Sequence, residues 1–194
     1  TIRFEGNNYH SDWVKEAAKR GLPNLRRTPE ALAQLLTRES RACLTKLGIL
    51  SKSELESRYH VRLERYAKDM LIEMHTIEEL MDTMVLPAAF TYSSMLLRSA
   101  ADAKVAGVVA GPHLAAAKAL ERMIGELQAR RAALGTVTAK AEAMHDSMEE
   151  QATLLTTQGA DRMADVRESS CAWERGVGEE LWPLPKYVEM GVPV

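Results

Sequence analysis

Long apolar runs are missing from this 194-residue chain, and so is any excess of one charge. Aromatics make up only 5% of it, and it holds two cysteines. Each shortage removes a class of function. Without roughly 18 consecutive apolar residues nothing reads as a membrane span, the longest mild stretch being Val105 to Ala110. A formal charge of −2, with Lys and Arg dispersed among the acids, lacks the basic footprint that neutralises phosphates, so nucleic acid is excluded as an expected partner. Cys43 and Cys171 stand far apart with no CxxC or Cys/His spacing, which signals neither zinc nor a disulfide framework and points to reduced thiols in the cytoplasm. Thr-Ile-Arg-Phe-Glu-Gly at the start has neither an initiating Met nor the regions of a signal peptide, and reads as part of something longer.

What the chain does have is 46% apolar residues, ten Met and many Ala, a mixture that suits packed helices better than sheets. The expected class is all-α, one compact domain, as an up-and-down antiparallel helical bundle. Residues 1–27 read as an irregular docking segment, 28–182 as the bundle and 183–194 as an extended tail. Within the first part, Ile2-Arg3-Phe4 resembles a strand end, and a short helix runs from Trp13 to Arg20 until Gly21 and Pro23 end it. Thr28-Pro29-Glu30 opens a helix whose Leu32, Leu35, Leu36, Cys43 and Leu47 form one apolar face before Gly48, with Cys43 as a small core residue.

Ser51 and Glu54 form a capping box. After them Leu55, Tyr59, Leu63, Tyr66, Met70, Met74, Ile77, Met81 and Met84 recur at steps of three or four, the strongest periodicity in the chain. Unbroken to Lys104, that helix would hold about 50 residues and span roughly 75 Å, so it must kink, break or protrude. Pro87 is the expected kink, since it removes the bond to the Thr83 carbonyl. Gly107, Gly111 and Pro112 mark the next break, and a helix from His113 to Leu134 closes at Gly135-Thr136. Two further stretches carry Met144, Met148, Ala152 and Leu155, then, past Gly159, Met163, Val166, Trp173, Val177 and Leu181. Two prolines hold the tail Trp182-Pro183-Leu184-Pro185-Lys186-Tyr187 extended.

No catalytic residue can be assigned. A phosphate loop is absent. Glu142-Ala143-Met144-His145 places a carboxylate and an imidazole one turn apart, as helical di-metal sites require, but it lacks the second ExxH and two further glutamates. Glu142 and His145 therefore stand as a lone candidate metal pair, against the blander reading of an exposed polar face. Glu56 with His60 and Glu79 with His75 are spaced as surface pairs. The Met stripe from Met70 to Met84 reads as core, with a groove for a partner helix as the alternative.

The stretch from Gly6 through Asn7, Asn8, Tyr9, His10, Ser11, Asp12 and Trp13 to Leu25, then Thr28-Pro29-Glu30-Ala31-Leu32, resembles the segment after the catalytic domain in type III glutamine synthetases. Similar anchors stand at Leu50-Ser51, Glu54-Leu55-Glu56-Ser57-Arg58-Tyr59, Leu86-Pro87-Ala88-Ala89 and Glu180 to Tyr187. That resemblance implies an ATP-dependent ligase joining ammonia to glutamate, using Mg or Mn, assembled as a dodecamer. Its catalytic domain, with the nucleotide and metal, would lie upstream, leaving this region a structural and oligomerisation role and no cofactor of its own. Partners would then be the catalytic domain of the same polypeptide and neighbouring subunits. Tyr9, Trp13, Trp182, Pro183, Pro185 and Tyr187 are the candidate interface anchors, because buried Trp and Tyr dominate such contacts.

Overall fold

A computed structural model describes residues 5–7, 9–144 and 146–186. The chain is all-α: the described residues contain helices and turns and no strand. Ile2-Arg3-Phe4 lies outside them. Two compact units divide the chain, unit 1 (Thr1–Glu64) and unit 2 (Arg65–Val194). The boundary falls inside the longest helix, where an unbroken apolar period gives no linker signal. For that reason the sequence reading treats 28–182 as one body.

Unit 1 holds α1 (Ser11–Lys19), α2 (Thr28–Ala33) and α3 (Arg38–Lys46), and α4 (Lys52–Leu80) begins in it. His10 caps α1, its Nδ1 accepting the Asp12 N–H at 3.4 Å. Gly21 and Gly48 end α1 and α3 in the left-handed region, at φ +69° and +67°, where a Cβ would be strained. The single helix expected from Thr28 to Leu47 is two. A tight turn at Gln34–Leu36 leads into Thr37, which takes an extended backbone and restarts the helix by accepting the Ser40 N–H on Oγ1. With the register reset, Cys43 and Leu47 face solvent, which corrects the expectation of a core cysteine. At the start of α4 the capping box forms as expected: the Ser51 N–H donates to Glu54 Oε2 at 2.8 Å, and the Glu54 N–H donates back to Ser51 Oγ at 3.3 Å.

Beyond the boundary, α4 continues into a π turn at Met81–Val85 and then α5 (Leu86–Val105), one continuous helix of 54 residues. The Leu86 N–H bonds back to the Met81 carbonyl, five residues away. This wide turn ends just before Pro87, whose ring would crowd a regular turn there. All nine residues of the expected apolar period, Leu55 to Met84, are buried or half-buried. Gly107, at φ +71°, separates α5 from α6 (Gly111–Glu142), which Pro112 opens.

Gly135 and Thr136 do not close α6, which runs about two turns beyond Leu134, to Glu142. The reason is a side chain: a Cβ on Gly135 would lie 2.6 Å from Arg131 Nη1, so the glycine leaves room for that guanidinium. Gly159 likewise interrupts nothing. It belongs to a second π turn, Leu155–Gly159, that joins α7 (Met148–Leu154) to α8 (Ala160–Glu174), and a Cβ there would stand 3.1 Å from Met74 Sδ. At Gly159 the glycine lets the second π turn approach Met74 of α4 closely.

In unit 2, α6 lies between α5 and α8. Met70, Met74 and Met81, Leu120, Ile124, Leu127 and Leu134, and Leu155, Val166 and Trp173 form one continuous core. The Met stripe is buried, so the partner-helix groove expected as an alternative is not open. The Tyr66 hydroxyl donates to Thr156 Oγ1 at 2.7 Å and ties α4 to the second π turn.

Candidate docking surfaces

Three surfaces invite a partner, each fixed by a different local cause. The first is in unit 1. Here α2 and α3 bury no side chain fully. The buried residues among those described in this unit are Ala17, Leu55, Tyr59 and Leu63, while Leu47 and Ile49, either side of the Gly48 turn, are 66% and 59% exposed. Leu22 and Leu25 also reach solvent. Ion pairs hold the outline: Glu16 meets Arg20 Nε at 2.6 Å, a hydrogen bond that pulls the Glu16 carboxyl below its ordinary range, and Arg41 on α3 lies 3.3 Å from Glu56 on α4. Of the expected anchors, Tyr9 is fully exposed and Trp13 half-buried.

The second surface runs along α8. An open groove of about 710 Å³ separates it from α4, with Ile77, Met163 and Ala172 against Glu73, Glu168 and Arg175. Arg167 and Cys171 also line a smaller groove of about 290 Å³ closed by Trp182, Leu184 and Pro185. The tail is non-helical over its described part, as its prolines dictate. Trp182 sets its ring 5.3 Å from that of buried Trp173, and Trp182 and Leu184 cover unit 2's own core. Pro183 is half-buried and Pro185 exposed, and Tyr187 lies outside the described residues.

The third surface is α5. No Asp, Glu, Lys, Arg or His occurs between Asp82 and Arg98. Leu86, Ala89, Ser93 and Ala100 turn inward, leaving Phe90, Met95, Leu97 and Val105 47%, 53%, 49% and 91% exposed. An 18-residue window of the helix Lys52–Val105 matches a membrane span by length and composition, with only 22% of it buried. A count of consecutive apolar residues overlooks this face because Ser and Thr interrupt it. The absence of charge was the available signal.

Charged groups in unit 2 pair across helices. Arg131 on α6 donates through Nε to Asp82 at 2.9 Å and lies 3.2 Å from Glu78, and Asp82, then Glu78, raise its pKa above the ordinary value. Thr138 on α6 donates to Glu78 as well. Arg130 bridges Glu126, Glu168 and the Asp165 carbonyl. Glu142 ends α6 and meets His75 Nε2 on α4 at 2.8 Å, so the histidine expected to face Glu79 reaches a different helix. His145 lies outside the described residues. Helix α6 stops at Glu142. Among the described residues no group of three His, Cys, Asp or Glu side chains stands where it could hold a metal ion.

Comparison with known proteins follows the same outline. The family model described as glutamine synthetase C-terminal domain matches residues 1–104. Over 191 residues, 97% of the chain, it is 32% identical to a glutamine synthetase of Butyrivibrio fibrisolvens. It is 31% identical over 195 residues to a glutamine synthetase of Bacteroides fragilis, and 30% identical over 201 residues to a type-3 glutamine synthetase of Dictyostelium discoideum. The chain spans about a quarter of the length of these relatives, 27%, 27% and 26%.

Proposed function

Because the chain belongs to the glutamine synthetase C-terminal domain family, we propose that it is the helical structural part of a longer cytoplasmic ligase that joins ammonia to glutamate with ATP. In this reading it contributes no catalytic group. ATP and the divalent metal are, in the same reading, held elsewhere in the longer polypeptide. Its work is to dock on the remaining polypeptide and to join neighbouring subunits of a homo-oligomer.

One observation carries this: unit 1 buries few side chains, Ala17, Leu55, Tyr59 and Leu63 among those described, and none on two of its helices. Helices α2 and α3 expose every apolar side chain they own at least in part, and Leu47 and Ile49 project from a rigid turn. Apolar surface of that kind is stabilised by covering it, at about 25 cal/mol per Å² removed from water. Tyr9 and Trp13 lie in the same unit and are aromatic anchors of the usual type.

Comparing the 194-residue chain with the full-length polypeptide tests the reading. The isolated chain is expected to show no glutamine formation from glutamate, ammonia and ATP. Amides of residues 9–50 should exchange quickly in it and slowly in the full-length protein. Turnover by the isolated chain, or exchange that is the same in both, would overturn the assignment.

A further inference from the structure

We propose that residues 187–194 of this chain occupy the groove between α4 and α8 and complete the wall of unit 2. The inference goes beyond the function proposed above, concerns unit 2 alone and is independent of how unit 1 docks. Those eight residues, Tyr-Val-Glu-Met-Gly-Val-Pro-Val, lie outside the described ones. What identifies them as the occupant is where the described chain stops. Trp182, Leu184 and Pro185 close the smaller groove on α8, and Arg167 and Cys171 line that groove and the larger one alike. The two grooves are therefore neighbours across one turn of α8. Lys186, the last described residue, follows directly on Pro185, so the residues after it start beside the groove of about 710 Å³.

Length, composition and charge agree with this placement. Extended at about 3.3 Å per residue, eight residues reach about 26 Å, while the α8 wall of the groove, from Met163 to Arg175, rises about 18 Å. Tyr187, Val188, Met190, Val192 and Val194 are apolar, and so are Ile77, Met163, Ala164 and Ala172 on the walls, which keep part or all of their surface in water. Glu189 is the single charge of the segment. Of the charged groups lining the groove, Glu168 is already held by Arg130 and Glu73 stands on the α4 wall, whereas Arg175 on the α8 wall has no ionic partner among the described residues. A second observation favours an extended segment over a partner helix. The indole N–H of Trp173, a residue 1% exposed, and that of Trp182 are both shielded from water and reach no acceptor among the described residues. Buried N–H groups ordinarily have one. Trp182 lines the smaller groove, and a segment passing from there into the larger one brings a backbone carbonyl with each residue, whereas the carbonyls of a helix are used within it.

The experiment compares the 194-residue chain with one that ends at Lys186. Loss of the segment is expected to speed amide exchange about fivefold or more over residues 73–77 and 163–175 and to leave residues 9–50 unchanged. Glu189→Lys is expected to give part of that effect. A second measurement reads position directly and decides the matter even where the shortened chain does not fold. With Cys43 and Cys171 replaced by serine, a nitroxide on Val192→Cys is expected to broaden the amides of 73–77 and 163–175 and to leave residues 98–105, about 30 Å along the helix from Ile77, sharp. Exchange in a folded shortened chain that matches the whole chain, or broadening as strong at 98–105 as at 163–175, would each overturn the proposal. So would broadening that appears only in an isotope-labelled second copy mixed with the nitroxide-bearing chain, which would make the occupant another molecule. None of these results alters the comparison of residues 9–50 between the chain and the full-length protein, so the two readings fail separately.

Discussion

Unit 1 and unit 2 are made from the same kind of short-range signal, and they differ in how much of it becomes core: four described residues are buried in unit 1, against a continuous cluster in unit 2. Helix α1 has a cap at His10, an acid in its first turn and Lys19 in its last, and α3 has its cap at Thr37 with Glu39 and Lys46 in matching places. Such devices stabilise a helix by about 0.3–1 kcal/mol each, enough to place its ends. They do not hold helices together. Unit 2 is poorer in caps, with none from a side chain on α5, α6, α7 or α8, yet it buries a continuous cluster from Ala67 to Val177. The contrast separates what specifies a helix from what stabilises a fold.

The largest effects should therefore fall in unit 2. Leu127 on α6 is fully buried, and Leu127→Ala is expected to cost about 2–5 kcal/mol, whereas Leu47→Ala in unit 1 should stay within about 0.5 kcal/mol. Denaturant unfolding of the 194-residue chain measures both, and comparable losses would break the contrast. A smaller loss follows from Arg131→Ala, which strips Glu78, 13% exposed at its side chain, of its cation. About 1–2 kcal/mol is expected, the pair being only partly shielded from water. If Arg131→Ala is neutral, the ion pairs across α4 and α6 are ornament to the apolar core. In unit 1 the comparable single change is Gly48→Ala, which forces a Cβ into the left-handed region at a cost of about 1 kcal/mol, read as lost helicity of α3 by amide exchange.

The same contrast explains what the sequence revealed. Periodicity from Leu55 to Met84, the Ser51–Glu54 box and the Gly107–Pro112 break were legible because each is set by neighbours within a few residues. Three positions were misread because composition does not say what a side chain does in space. Gly135 and Gly159 have the composition of helix ends, but Arg131 and Met74 occupy the space a Cβ would take, and burial of the surrounding helix outweighs the roughly 1 kcal/mol that glycine costs. Thr37 has the composition of a helix interior, since Arg38-Glu39 continue a helical pattern, yet its hydroxyl caps α3. The site was less legible than the fold. Nothing local joins His75 to Glu142, which are 67 positions apart, and nothing local says that Trp182 turns inward against Trp173. The α5 face was legible in principle, through its missing charges.

The smallest effect is also the one that isolates unit 1. The Glu54 carboxylate accepts the Ser51 backbone N–H and hydroxyl, and these bonds, the backbone one first, hold its pKa below the ordinary 4.5. A carboxyl whose folded value is depressed stabilises the folded state fully above its unfolded value. That stabilisation is lost as the pH falls below 4.5 and through the lowered folded value. Glu16, held low by Arg20, acts in the same direction. In unit 2 the resolved shifts are those of Arg130 and Arg131, both raised above the ordinary value by their carboxylate partners. Acid should therefore loosen the first turn of α4 and the end of α1. Amide exchange followed by NMR from pH 6 to pH 3 checks this, with Glu54→Gln as the control: it keeps an acceptor for Ser51 but has no proton to gain, and its α4 start should lose the pH dependence. An α4 start that frays equally in Glu54→Gln would show that the capping carboxylate is not what acid removes.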